Sequence, residues 1–349
     1  MSGTLPRLAC TAALAAQAVL VPVPAAAAPD PQRSVAQLLT DLQQLYRQAE
    51  QATETYNATA EKLRRQQAKV SRLDGELARA RLALQGSRAD AGRLARRQYQ
   101  STGGLGPYVR VLLAPDPQHA LDEGHVIGEL AREQARTVTR LTTAEQRKDA
   151  LARAARTALD TQLTLADQQR KQRDDVRSKL ADVERLLATL TPAQLAAVAA
   201  LEQQGVTAAQ QQLTAAGALP AGRPASAEGD RAVRYAMDQL GKPYEWGAQG
   251  PAAYDCSGLT SQAWGHAGTA IPRTSQEQWR RLKRITLADL RPGDLVVYYP
   301  EATHVAMYVG DGRVVQAPRP GASVEVSPLA SYPVLGAVRP DQAPETEAR

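Results

Sequence analysis

A seven-residue repeat of apolar side chains from Leu38 to Gln98 limits this part of the chain to one long helix. Of the eighteen positions reached from Leu38 by alternating steps of four and three residues, fourteen are apolar. No proline interrupts the segment between Ser34 and Gln100. A repeat of this period keeps one apolar stripe facing a partner helix, as in a coiled coil. The sequence therefore predicts a long helix with a coiled-coil seam.

A second long helix is predicted from about Leu121 to Leu190, after residues 101–107, where glycine and proline disfavour helix. Two helices of similar length joined at one end favour an antiparallel hairpin. Thr191-Pro192 then begins a shorter helix to about Ala216, because proline is well tolerated in the first turn. The sequence leaves open whether this region docks a partner protein, blocks a downstream domain or serves only as a spacer.

The N-terminus has the layout of a secretory signal peptide. Arg7 is followed by an apolar run to about Val23 and by small residues that end near Ala28. No later stretch approaches the roughly 18 consecutive apolar residues that span a bilayer. We therefore expect a secreted chain, extracellular or cell-wall associated, without stable membrane insertion after signal removal. The predicted segments are a signal peptide, a helical hairpin region, a linker, a compact domain and a tail: residues 1–28, 34–216, 217–230, 231–340 and 341–349.

The formal net charge of +6 is unevenly distributed along the chain. From Glu228 to Pro340, twelve Lys and Arg residues oppose eleven Asp and Glu residues, so the excess lies upstream. A modestly basic exported chain would be attracted to anionic wall polymers, although an ordinary solvated helix face explains the same excess. No nucleic-acid-binding motif is present, and we expect no nucleic-acid partner.

Cys256 is the only cysteine left once the predicted signal peptide, with Cys10, has been removed. It cannot form an intrachain disulfide. One interpretation is a small buried hydrophobic residue, and the other is a nucleophile. Cys256 follows Asp255 at a predicted helix start, where unpaired N–H groups and the helix dipole favour the thiolate. We therefore expect the helix start to lower the pKa of this thiol.

A cysteine nucleophile needs a histidine, and the C-terminal domain has two. His266 lies ten residues after Cys256 on the same predicted helix, roughly 15 Å along its axis, which excludes it. His304 begins a predicted strand, and Gln316 is the strongly polar side chain of the next strand. A three-residue loop or an equivalent bulge places Gln316 opposite Ala306 and diagonal to His304, whereas a plain two-residue turn does not. The alternative interpretations are a surface imidazole for His304 and a capped strand residue for Gln316.

Five runs cover nearly all of the segment from Arg231 to Pro340: GKPYEWG, YDCSGLTSQAW, IPRTSQEQW, LRPGDLVVYY and HVAMYVGDGRVVQAP. In order and spacing they resemble the NlpC-type family of papain-like cell-wall endopeptidases. The resemblance implies an α+β papain-like domain, an antiparallel sheet with packed helices, after the long α-helical antiparallel coiled-coil hairpin. It also implies Cys256 as nucleophile, His304 as base and Gln316 in the third position. Many relatives have histidine at that position, and a neutral amide gives less electrostatic support to an imidazolium.

The resemblance further implies a set of substrate-binding side chains near the nucleophile: Tyr244, Asp255, Ser257, Arg273 and Ser275. Asp255 could equally be only a helix cap. The implied substrate is the peptidoglycan stem peptide, cut at the γ-D-glutamyl to diamino-acid bond through a thioester, with no metal or other cofactor. Two alternatives stay open: an N-acetylmuramoyl-L-alanine amidase, and a non-catalytic coiled-coil scaffold that binds the wall.

Overall fold

The computed structural model describes residues 34–101, 107–112, 114–219 and 222–342. The predicted signal peptide with Cys10 and most of the predicted tail lie outside these residues. The chain forms two compact units: the first contains the residues up to Glu61 and from Gln168 onward, and the second is Lys62–Asp167. The first unit therefore combines the start of the helical region with the C-terminal domain. The predicted segment boundaries stay predictions.

The described residues from Val35 to Ala215 are mostly helical, as their apolar repeats predict. The four helices are α1 (Val35–Ser101), α2 (Pro107–Leu112), α3 (Pro117–Thr189) and α4 (Pro192–Ala215). The start of α4 is a complete capping box. The Thr191 hydroxyl accepts from the backbone N–H of Gln194 at 3.2 Å, and the Gln194 side chain accepts from the backbone N–H of Thr191 at 2.9 Å. These bonds satisfy donors that a helix start otherwise leaves unpaired.

In the second unit, α1 and α3 pack against each other in opposite directions. Their shared core is small and is formed by Leu73, Leu77, Ala155 and Ala158. The Gln66 amide donates to the Ala158 carbonyl at 2.7 Å. Arg88, later on α1, pairs with Glu145, earlier on α3, at 3.0 Å. Because the partner numbers fall as the α1 numbers rise, the helices are antiparallel, and this part of the fold prediction is confirmed.

The helices of the first unit have their own apolar cluster. Leu38 and Leu42 of α1 are buried against Val183 of α3 and Val198 of α4. No helix among the described residues combines the length and the apolar composition that crossing a bilayer requires.

The C-terminal domain is built from three helices and one antiparallel sheet. The helices are α5 (Ala227–Met237), α6 (Cys256–Ala267) and α7 (Ser275–Arg281). The strands are β1 (Lys283–Ile285), β2 (Leu295–Tyr298), β3 (His304–Gly310), β4 (Arg313–Gln316), β5 (Glu325–Pro328) and β6 (Val334–Arg339). The order across the sheet is β1-β6-β2-β3-β4-β5, with every neighbouring pair antiparallel. The predicted α+β class of the domain is confirmed.

Both faces of the central strands are covered. Leu295 and Val297 of β2 face a core that includes Ala232 of α5 and Leu259 of α6. Val296, between them, belongs to a second core on the other face. Side chains alternate between the two faces of a strand, so a strand covered on both sides reads as a continuous apolar run. This explains the sequence LVVY in β2.

The hairpin between β3 and β4 contains the predicted bulge. Asp311 and Gly312 form a two-residue turn with φ of 50° and 65°, values that favour glycine and that aspartate tolerates. The strand register shifts between Tyr308 and Gly310, so that Met307 pairs with Val315. Gln316 therefore lies opposite Ala306, as predicted.

Helix α5 begins at Ala227, inside the predicted linker of residues 217–230. The reason is a cap inside the predicted linker: the Ser226 hydroxyl accepts from the backbone N–H of Gly229 at 2.9 Å. The segment between α4 and α5 is correspondingly shorter than composition suggests.

Candidate active site

Cys256 is the first residue of α6, and Asp255 caps that helix. The Asp255 carboxylate accepts from the backbone N–H of Gly258 at 2.6 Å, which holds the first turn in place. Gly258 is needed here because a Cβ would lie 2.2 Å from the Ala248 carbonyl oxygen. The preceding loop thus packs directly on the helix start, and the thiol stands at the positive end of the α6 dipole.

His304 is the first residue of β3 and is completely buried. Its Nε2 lies 2.7 Å from Oε1 of Gln316, the last residue of β4. The Gln316 amide nitrogen in turn donates to the Ser327 hydroxyl on β5 at 2.7 Å. With the amide nitrogen engaged by Ser327, the amide oxygen faces the ring, so Nε2 carries the hydrogen and Nδ1 keeps its lone pair. Nδ1 has no hydrogen-bond partner.

A buried ion pair lies beside the thiol. Arg273 donates to both carboxylate oxygens of Asp255, at 3.0 and 2.6 Å, and to the Ser257 hydroxyl at 2.8 Å. In this two-pronged geometry the planar guanidinium matches the shape of the carboxylate, and the two hydrogen bonds fix the orientation of both groups. Asp255 therefore caps α6 and also pairs with Arg273, while its role in substrate binding stays a prediction.

The other predicted cleft residues lie in the same region. The Ser275 hydroxyl donates to the Ala302 carbonyl at 2.6 Å, while Thr274 caps α7 by accepting from the backbone N–H of Glu277 at 3.3 Å. Tyr244 is buried, and burial together with the nearby charges of Cys256 and Asp255 raises the pKa of its phenol. The structure thus brings the predicted site residues together.

Three polar residues of α1, which the sequence did not indicate, also belong to this site. Glu54 accepts from the Ser257 hydroxyl at 2.7 Å and from the backbone N–H of Ser275 at 2.8 Å. The Cys256 sulfur lies 3.9 Å from Glu54 Oε1. Glu50 and Asn57 lie one helical turn to either side of Glu54. The only available signal was their i, i+4, i+7 spacing, which an exposed polar stripe would share.

Glu50 and Asn57 reach different parts of the site. The Glu50 carboxylate lies 3.4 Å from His304 Nδ1, without hydrogen-bonding geometry, and its other oxygen has no partner. The Asn57 amide donates to Asp255 at 3.1 Å. His304, the predicted base, and Asp255, the cap of the helix that carries Cys256, are therefore both in contact with α1.

The expected low pKa of Cys256 is wrong for this structure. The side chain is only 3% exposed, and burial raises the pKa of the thiol well above its usual value. The neighbouring carboxylates of Glu54, Asp255 and Glu50 raise it further. Desolvation and three like charges outweigh the helix dipole, because a thiolate here would be one more anion in a closed anionic site.

The charges of the site also change the pKa values of its other members. Burial and the Asp255 charge raise the pKa of Glu54 to about 7, against the lowering effect of Arg273 and of the hydrogen bonds from Ser257 and Ser275. Burial opposes protonation of His304, but the Glu50 carboxylate and the Gln316 hydrogen bond outweigh it and raise the pKa of the ring. Within the described part of the chain, no group of three or more His, Cys, Asp or Glu side chains could hold a metal ion.

Residues 241–335 match the model of the NlpC/P60 family. The chain carries an NlpC/P60 domain at its C-terminal end. A probable endopeptidase of Corynebacterium glutamicum is 43% identical to the chain over 116 residues, which cover 33% of this chain and 56% of the relative. A probable endopeptidase of Mycobacterium tuberculosis is 40% identical over 124 residues, covering 35% and 32% of the two chains.

The NlpC/P60 domain also has relatives among solved structures. The P60 domain of an antigen from M. avium subspecies paratuberculosis is 31% identical, covering 32% of this chain and 94% of that one, with a TM-score of 0.29. The matches to the curated relatives span about half of the C. glutamicum protein and about a third of the M. tuberculosis protein.

Proposed function

We propose that the chain is a secreted peptidoglycan hydrolase, a cysteine endopeptidase that cuts stem peptides between the γ-D-glutamyl residue and the diamino acid. One arrangement carries the proposal: Cys256 at the start of α6, with His304 held by Gln316 so that Nδ1 is unpartnered. The NlpC/P60 match and the relatives named as probable endopeptidases support it.

In the proposed reaction, Nδ1 of His304 takes the proton of the Cys256 thiol, and the sulfur attacks the carbonyl carbon of the scissile amide. The C–N bond breaks as the imidazolium gives that proton to the leaving amine, and a thioester remains on Cys256. Water then loses a proton to Nδ1 and attacks the thioester carbon, which releases a carboxylic acid and restores the thiol. Gln316 keeps the Nε2 hydrogen and thereby the tautomer that this cycle needs.

The substrate-binding part of the proposal rests on donors that converge on one carboxylate. The Ser257 hydroxyl and the Ser275 backbone N–H both donate to Glu54, and the Arg273 guanidinium adds positive charge nearby. The same donors suit the carboxylates of a stem peptide. Tyr244 and Asp255 complete the proposed binding wall.

The test is digestion of purified peptidoglycan by the full chain carrying Glu54→Arg, the parent of this test, in which no carboxylate lies against the Cys256 sulfur, with mass analysis of the released fragments. We expect fragments with a new amino group on the diamino acid, and none from the Cys256→Ala variant. Release of the intact stem peptide from the sugar would instead identify the amidase alternative. Fragments from Cys256→Ala equal to those of the parent would rule out a cysteine mechanism.

The burial of Cys256 favours one other candidate, a non-catalytic coiled-coil scaffold that binds the wall. In that case the chain would co-sediment with peptidoglycan and release no fragments in any variant. A wall or division-site protein that binds the helical region would suit either candidate. Such a partner would be captured by the parent chain in a pull-down and lost when exposed residues of the second unit are substituted.

A further inference from the structure

The segment of α1 from residue 46 to 57 crosses the active site inside the first unit. Within it, Glu50, Glu54 and Asn57 are all at most 5% exposed, although their side chains are polar. Charged side chains are rarely buried unless they are partnered. Their partners are the predicted catalytic and substrate-binding residues, so this segment occupies the site itself and not a neighbouring surface.

Glu54 is held as a carboxylate ligand. Both of its oxygens accept hydrogen bonds, from the Ser257 hydroxyl and from the backbone N–H of Ser275, and one oxygen lies 3.9 Å from the Cys256 sulfur. A substrate cannot bring a carbonyl carbon to the sulfur while this carboxylate is in place. The contact therefore blocks the proposed nucleophile.

Glu50 acts on the other half of the arrangement. It lies 3.4 Å from the His304 nitrogen that would take the thiol proton, and it raises the pKa of the ring. The carboxylate lies on the side of the ring from which the thiol proton would have to reach Nδ1. Access to the base is therefore blocked as well as access to the nucleophile.

Contacts on either side hold the segment in place. The guanidinium of Arg319 lies 4.9 Å from the ring centre of Tyr46 and is paired with Glu202 of α4 at 2.9 and 3.2 Å. At the other end, Tyr56 packs edge-on against Trp246, with ring centres 5.1 Å apart. The segment is therefore clamped at both ends and presents its carboxylates between the clamps.

The choice of side chains favours a closure that can open. Replacing buried ionic groups by apolar ones of similar size is often neutral or stabilising. A permanent packing surface would thus gain from apolar residues at positions 50 and 54, as at the neighbouring Ala49 and Ala52. Carboxylates close to Asp255, with Arg273 as the nearby cation, instead make the closed state less favourable than it could be.

We propose that residues 46–57 of α1 are an inhibitory segment, which keeps the site closed by setting Glu54 against Cys256 and Glu50 against His304. The consequence for peptidase activity rests on the proposed function, whereas the closure itself rests on the contacts alone. Opening requires that this part of α1 leave the groove, which exposes the thiol and frees Nδ1 together.

The test is the rate at which iodoacetamide alkylates Cys256 in the full chain, followed by mass analysis of the peptide that contains it. Glu54→Arg removes two hydrogen bonds to a charged group and sets a second cation near Arg273. We expect alkylation to be at least about tenfold faster than in the parent. Glu76→Arg is the matched control on α1, since Glu76 lies in the second unit and pairs with Arg72, and we expect the parent rate.

Equal rates in the parent, Glu54→Arg and Glu76→Arg would overturn the inhibitory segment. So would a parent rate as fast as that of a free cysteine in a short peptide, since the thiol would then already be open. Glu50→Ala is a second variant that introduces no bulk, and it should also accelerate alkylation. Faster alkylation of Glu54→Arg without any release of peptidoglycan fragments would support the closure and contradict the proposed peptidase.

Discussion

Two parts of α1 share one apolar repeat but have different surroundings. In residues 62–100 the buried side chains that the structure describes are all apolar: Leu63, Leu73, Leu77, Ala80 and Leu84. In residues 35–61 the buried set also contains five polar side chains: Glu50, Thr53, Glu54, Asn57 and Thr59. Within the later part burial follows one stripe, whereas Ala52, Thr53 and Glu54 are buried in succession. The early part is therefore covered on more than one side, by helices and by the NlpC/P60 domain.

This difference separates two tasks for one helix. The later part has the single apolar contact that a helical hairpin needs. The early part has that contact and, on another face, polar side chains that contact Cys256, Asp255 and His304. A regular apolar repeat on one face leaves the residues of the other faces free to vary. The polar contacts with the domain therefore do not interrupt the apolar repeat.

The largest expected effect on Cys256 alkylation comes from a proline in residues 35–61 of α1, compared with a proline in residues 62–100. Proline within a helix costs about 3 kcal/mol, so Thr55→Pro should speed Cys256 alkylation by up to about a hundredfold. Ala83→Pro introduces the same defect at an exposed position of the second unit and should leave the rate unchanged. Equal acceleration by both would show that closure depends on the helix as a whole and not on its early part.

Next in size is the loss of apolar packing in the second unit. Leu77→Ala removes a buried side chain and should lower the free energy of unfolding by about 2 to 3 kcal/mol, measured by urea denaturation with circular dichroism. Leu82→Ala, at a side chain that is 69% exposed, is the control and should change little. Cys256 alkylation should stay at the parent rate in both variants. A change in that rate with Leu77→Ala would contradict the separation of tasks.

The third prediction concerns pH. The pKa of Glu54 is raised to about 7 in the closed site, above its usual value of 4.5, so the closed state binds a proton more tightly than the open state. The stabilisation is fully present below the open-state value and is lost as pH rises through about 7. The pKa values of Cys256 and His304 are also raised, which gives the same sign. Closure should therefore weaken with rising pH.

The titratable and charged groups around Glu54 are Cys256 of α6, Asp255 at the cap of that helix, Arg273, His304 of β3 and Tyr244, and Glu50 lies one helical turn away on α1 itself. Between about pH 6 and about pH 8, Glu54 alone should raise the open fraction about tenfold. Alkylation has its own pH dependence through the thiolate, so Glu54→Gln provides the reference slope. A parent slope no steeper than that of Glu54→Gln would contradict this linkage.

The smallest effect is expected from the ion pairs outside the site. Arg88 and Glu145 in the second unit have side chains that are 62% and 44% exposed, so Glu145→Gln should change the free energy of unfolding by no more than about 1 kcal/mol. Glu202→Gln in the first unit breaks a two-pronged, less exposed pair with Arg319 and should cost more. Denaturation of the two variants measures both. A greater loss from Glu145→Gln would reverse this order.

Much of the architecture could be read from the chain. The apolar repeat predicts α1, the Thr191-Pro192 pair predicts the start of α4, and the bulge needed to bring Gln316 near His304 is present in the strand register. These features are local, or depend on the fixed alternation of a strand. The start of α5 is not evident from composition, because the Ser226 cap lies in a segment whose composition is that of a linker.

Local patterns in the chain suffice to predict that Cys256 begins a helix and that His304 and Gln316 lie on adjacent strands, since capping, periodicity and turn geometry act over short distances. The burial of Glu50, Glu54 and Asn57, and with it the raised pKa of the thiol, is visible only in the packed molecule. Their spacing along α1 is also that of a solvent-facing stripe. Which of the two it is depends on a partner some 200 residues away in sequence, and no local pattern contains that contact.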